Sequence, residues 1–188
     1  GTLSLLAYSD GTKGLRLAAT ANVAAGSAQI AASNVYAYRI PVTPGATITA
    51  RAEQRSGAGA IRGRLQLRWW DAGGAGMTPT LGPIFGGTAN YAEGSVTATV
   101  PDGAATLSIQ VISADAMVSG HTFDARRFAV YAGTTDTRYF DGNHPAAQWN
   151  GTAGDSTSTV IRRTLSYTVD GLDLTYGTSS LTNALMVN

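Results

Sequence analysis

Apolar side chains in this chain return at every second position, and that spacing limits its fold more than any other feature. Leu15 and Leu17 alternate with Gly14, Arg16 and Ala18, and Tyr36, Tyr38 and Ile40 alternate with Ala37 and Arg39. Leu65, Leu67 and Trp69 alternate with Arg64, Gln66 and Arg68. Val96, Ala98 and Val100 follow the same rule, as do Leu107, Ile109 and Val111, and the stretch 123–131 closes the series. A period of two puts successive side chains on opposite faces of an extended backbone, so each run predicts a strand with one buried and one wet face. Pro44-Gly45, Asp102-Gly103, Asp141-Gly142, Asn150-Gly151 and Asp170-Gly171 punctuate the runs with turn chemistry. Many short strands separated by such turns predict an antiparallel sandwich. Only 23–34 and 176–185 are candidates for a helical turn, and no long helix is expected. A domain boundary is expected near 133–135, with a loop or hairpin over 139–158, a strand over 159–169, and a turn with a short tail over 170–188.

Composition narrows the class. Charged residues are only 13% of the 188, about half the usual share. Ser, Thr, Asn, Gly and Ala must therefore cover the surface, which suits a particle component among many neighbours and equally a secreted binding module. The net charge is +1, and no basic block follows an aromatic platform, so no nucleic-acid partner is expected. Arginines far outnumber the single Lys13, which favours planar pairing at interfaces. With no cysteine there is neither a disulfide scaffold nor a thiolate metal site. No apolar run approaches the roughly 20 residues of a membrane-spanning helix, and no membrane insertion is expected. The chain opens on Gly1 without a secretory signal pattern, and it is expected to be a piece of something larger.

The polar residues nominate no catalyst. Asp10, Asp102, Asp141 and Asp170 each precede a glycine, where an aspartate makes turns. The only glutamates, Glu53 and Glu93, fall in separate segments, whereas a glycosidase needs two carboxylates about 5–9 Å apart. His121 and His144 lack partners at metal or triad spacing. The segment 57–63 misses a dinucleotide fingerprint by one residue, and no cofactor is expected. Asp170 and Asp173 are candidates for a structural calcium site, since hard cations take oxygen ligands, but an unoccupied turn fits them better.

The aromatics carry the binding expectation. Trp69 and Trp70 are adjacent in one strand and must face opposite ways. Trp69 keeps phase with Leu65 and Leu67 and is predicted to be core. Trp70 keeps phase with Gln66 and Arg68, where it is predicted to be a stacking platform for a sugar ring, with Asp71 and Tyr91 completing a shallow groove. The competing expectation is that the 72–90 loop or the C-terminal extension covers Trp70. Tyr139, Phe140 and Trp149 are expected to pin the extension to its parent domain or to a neighbouring subunit.

Two resemblances extend this reading. Tyr139-Phe140-Asp141-Gly142, then Trp149 and Gly151, then Ser156 and Ser158, resemble a segment of minor tail proteins from tailed phages of actinobacteria and related hosts. There the segment follows a carbohydrate-binding-module-like jelly roll. The order of runs over about 3–132 is similar to the jelly rolls grouped with cellulose- and xylan-binding modules. That group tends to carry two adjacent acids in its last strand; here Asp124 is followed by Ala125, so Asp124 alone would stand for any calcium site so implied. The resemblances imply a jelly-roll sandwich at 1–133 and a β-rich extension at 134–188. They further imply a non-enzymatic component of a phage tail tip or baseplate, assembled in the host cytoplasm and carried in the virion. Its expected partners are other tail proteins, sister copies in a closed ring or trimer, and a host cell-wall glycan. The alternative is a carbohydrate-binding module of a secreted glycoside hydrolase, and a glycosidase or cell-wall lyase is a third reading.

Overall fold

In the computed structural model, the structure describes residues 1–7, 13–31, 39–134, 147–150, 158–166 and 175–183, the last two segments by backbone alone. The fold is all-β, an antiparallel jelly-roll sandwich, and the described residues contain no helix. One five-stranded sheet runs in the order β1-β2-β10-β5-β8, built from β1 (Thr2–Ala7), β2 (Lys13–Ala18), β10 (Thr122–Ala132), β5 (Thr47–Ala58) and β8 (Ala92–Thr99). The second runs β3-β9-β6-β7, with β4 also paired to β9. Its strands are β3 (Gln29–Ala31), β4 (Ile40–Pro41), β6 (Arg62–Asp71), β7 (Thr80–Gly86) and β9 (Ala104–Ser113). A separate three-stranded sheet joins β11 (Ala147–Trp149), β12 (Ser158–Ser166) and β13 (Thr175–Asn183).

The period-two runs form these strands because each buries one face between the sheets. On β6, Leu65, Leu67 and Trp69 are fully buried and lie opposite Val111, Ile109 and Leu107 of β9. Ala50, Ala52, Phe123 and Ala125 of the first sheet close the core from the other side. Each large apolar side chain so buried contributes about 1.5–3 kcal/mol. The Trp69 indole N–H donates to Thr80 Oγ at 3.1 Å, which satisfies its one polar atom.

The structure corrects three expectations. Val23 forms a bridge with Met117 and residues 29–31 form β3, so of the expected helical turn over 23–34 the described residues to 31 keep only one hydrogen-bonded turn, in which Ser27 N–H donates to Ala24 O, and 32–34 lie outside the described residues. The expected helical turn at 176–185 is replaced by β13, which pairs with β12 from Thr175 to Asn183. In both places strand pairing supplies the backbone hydrogen bonds, and tertiary context overrides local propensity. The 72–90 loop contains a strand, β7, reached through a tight turn in which Asp71 Oδ1 accepts the Ala75 N–H at 2.8 Å.

One irregularity shapes the first sheet. Pairing between β10 and β5 slips between Arg126 and Ala129, and Arg127 sits there at a φ of 52°, in left-handed space that non-glycine residues rarely occupy. The extra residue leaves Arg126 and Arg127 on the same side of the sheet, where both reach Glu53.

Candidate functional site

The outward face of β6 carries Arg64, Gln66, Arg68 and Trp70, and the register sets Ile112, Gln110, Ser108 and Thr106 of β9 against them. Strand phase thus brings Trp70, Gln66 and Arg68 together as expected, with Asp71 at the strand end. The Trp70 indole N–H donates to Ser108 Oγ at 3.1 Å. Its ring is no bare platform. The Arg39 guanidinium carbon lies 3.4 Å from the ring centroid, and that of Arg68 lies 4.6 Å away. Gly76 bridges to Trp70, and a β-carbon added there would sit 3.5 Å from the ring edge, so the turn after β6 folds against the indole. Trp70 is accordingly half-buried.

Polar groups beneath this face are buried, and apart from Ser108 they are left unsatisfied. Ser108 and Gln110 face outward yet are 0% exposed. Neither amide atom of Gln110 has a hydrogen-bond partner, nor do Thr106 Oγ and Arg64 Nε. A buried polar atom left unpaired costs about 1–3 kcal/mol, so such atoms mark places where a fold is adapted to something besides its own stability.

Tyr91 does not join this group. It leads into β8 of the first sheet, and its ring lies 3.9 Å from the Arg126 guanidinium carbon and 4.9 Å from that of Arg55. The two sheets present opposite outer faces, so no groove runs from Trp70 to Tyr91.

That opposite face holds an ion-pair network whose partners are far apart in sequence. Asp124 is 0% exposed; Arg16 donates to its two oxygens at 2.7 and 2.9 Å, and Arg55 donates to it at 2.8 Å. Arg16 and Arg55 are its direct cross-strand neighbours. Both carboxylate oxygens are therefore occupied by guanidinium groups, and Asp124 is not presented as a calcium ligand. No group of three metal-ligating side chains occurs among the described residues. Asp170 and Asp173 lie outside the described residues, as do Tyr139 and Phe140 and the side chain of Trp149.

Glu53 and Glu93, remote in sequence, are direct partners across β5 and β8. Glu53 accepts from Arg126 at 2.7 Å and Arg127 at 2.9 Å, and Glu93 accepts from Arg51 at 2.8 Å. The sequence hides this acid pair because the pairing of β5 with β8 is a non-local fact. Near its end, Tyr131 is buried, and that burial pushes its phenol up to about 12.

Neither the protein-family models nor the curated proteins compared with the chain give a match. Among solved structures, the C-terminal family 22 carbohydrate-binding module of Clostridium thermocellum Xyn10B aligns at a TM-score of 0.51 and 16% identity, over 73% of this chain and 86% of that one. The N-terminal CBM22-1–GH10 portion of the same xylanase, complexed with xylohexaose, gives a TM-score of 0.51 and 12% identity, over 73% of this chain but 25% of that one. The enzymatically active domain of tailspike protein 4 of bacteriophage CBA120 aligns at a TM-score of 0.46 and 12% identity, over 70% of this chain and 18% of that one. At these identities the likeness is one of fold: this is a jelly roll of the kind found in carbohydrate-binding modules.

Proposed function

We propose that the chain is a non-catalytic carbohydrate-binding module that serves as a structural component of a phage tail, near the tail tip or baseplate of the virion. The observation that carries the binding part is the outward face of β6, where Trp70, Gln66 and Arg68 share one half-buried strand face. The fold shared with family 22 modules supports the same reading. A binding role rather than catalysis is supported by the commitments of the acids: Asp124, Glu53 and Glu93 are held by arginines, and Asp71 by its own turn. The phage setting rests on the segment from Tyr139 to Gly142 with Trp149 and Gly151, together with the low-charge surface. There the chain is assembled in the host cytoplasm beside other tail proteins and sister copies. Weak single-site affinity is multiplied by copy number.

The rival reading, a carbohydrate-binding module of a secreted glycoside hydrolase, is favoured by the likeness to the xylanase modules. The genes flanking this one separate the two: tape-measure and tail-tip genes support the tail, and a hydrolase operon supports the rival. The binding part is tested on a glycan array with a multimerised chain. Trp70→Ala is expected to weaken retention about tenfold, the loss of one aromatic contact and its neighbours. Equal retention of both proteins removes Trp70 from the site, and retention of neither reduces the domain to a spacer.

A further inference from the structure

We infer that the β6 face selects an acidic saccharide, one bearing carboxylate or phosphate groups, over a neutral one. The inference rests on the carbohydrate-binding reading above and names the ligand class. It begins with how this chain treats its arginines. Arg16, Arg51, Arg55, Arg62, Arg126 and Arg127 all reach carboxylates. Arg64 and Arg68 have no carboxylate partner among the described residues, although both are half-buried on one strand face. Asp71, the only acid in the five strands of that sheet, accepts the Ala75 N–H within its own turn.

The aromatic changes role accordingly. A neutral sugar stacks by laying its apolar C–H face on an open ring, yet the Trp70 ring already carries the Arg39 guanidinium at 3.4 Å and has that of Arg68 at 4.6 Å. A guanidinium held against an indole, as that of Arg68 is, loses less freedom when it binds a planar oxygen acceptor. Trp70 therefore works as a base that orients cations. Along β6, Arg64 and Arg68 stand four residues apart, about 13 Å, with Gln66 between them. Gln66, half-buried between them, supplies donors and an acceptor to hydroxyls between the charged groups. The result is a row of cation, amide and cation, matched to a saccharide with acid groups at intervals.

The test uses the full chain, multimerised, against three immobilised probes: a hexuronic-acid oligomer, a sugar-phosphate oligomer and a neutral xylo-oligomer. An acidic probe is expected to bind at least about tenfold more tightly than the neutral one, the difference made by one charge-assisted contact. Arg64→Gln and Arg68→Gln should each remove most of that preference. Arg51→Gln, which alters the pair with Glu93 on the other sheet, should keep it. Raising the ionic strength to about 1 M, where screening acts over about 3 Å, should weaken acidic binding and leave neutral binding unchanged. Matched thermal melts of the variants exclude loss of fold. Which acidic probe binds assigns carboxylate or phosphate. Equal binding of neutral and acidic probes, unmoved by the arginine variants, overturns the inference while the carbohydrate reading stands. Binding of no probe overturns both.

Discussion

At the residue scale, Asp124 shows how tightly one charge is built into the fold. It is closed off from solvent with Arg16 and Arg55 donating to it, so a neutral amide there would leave two cations facing each other. The arginines keep about a third of their side chains exposed, which tempers the loss. Asp124→Asn is expected to destabilise by about 2–3 kcal/mol, below the full cost of breaking a wholly buried pair, and urea unfolding measures it. Tyr131 gives the pH dependence. Its phenol is raised from 10.0 to about 12 by burial, opposed by Arg51 and reinforced by Glu93. Below its unfolded pKa the phenol is neutral in both states. Between about pH 10 and about 12 the unfolded chain gives up the proton and the folded chain keeps it, so stability falls as pH rises through that window. Tyr131→Phe should flatten this part of the alkaline melting profile; an unchanged slope would show that another group sets it.

At the element scale, β7 closes on β8 because Gly94 leaves room. A β-carbon there would meet the Phe85 ring well inside contact distance. Gly94→Ala is expected to cost about 1–3 kcal/mol through overpacking, seen as a lower melting temperature, with Phe85→Leu relieving part of it. The same strand marks the limit of what the sequence discloses. Strands β6 and β8 are legible because alternation survives along them, and the phase of Leu65, Leu67 and Trp69 gives the burial of each correctly. β7 is hidden by Gly82 and Pro83, which read as loop but fall in the register shift of an edge strand, where a missing N–H is tolerated. The site divides in the same way. Trp70, Gln66 and Arg68 share one strand, so local phase places them. Arg39 over the ring, Tyr91 on the far face and the Glu53–Glu93 pairing depend on which strands become neighbours, and no local pattern encodes that.

At the scale of the whole molecule, the proposed self-association has a seat in the sandwich edge. β1 lies at the end of its sheet, has no charge or proline in its six residues, and exposes Leu3 and Leu5 by 57% and 59%. Such an edge is a template for another strand unless something covers it. Light scattering across a concentration series is expected to find the chain above monomer mass, and Leu3→Lys with Leu5→Lys should return it to monomer. A wild-type chain that stays monomeric throughout would remove this contact.

The alternation that splits Trp69 from Trp70 also equips the molecule with two optical probes one residue apart. Trp69 is sealed among Leu67, Leu107 and their neighbours, so its emission tracks whether the sheets remain stacked. Trp70 lies under guanidinium groups on the opposite surface, so its emission changes when whatever docks there moves Arg39 or Arg68. In a Trp149→Phe background, which removes the third tryptophan, Trp70→Phe isolates the first signal and Trp69→Phe the second. A single fluorescence titration can then distinguish occupancy of the outer face from loosening of the interior, without a label.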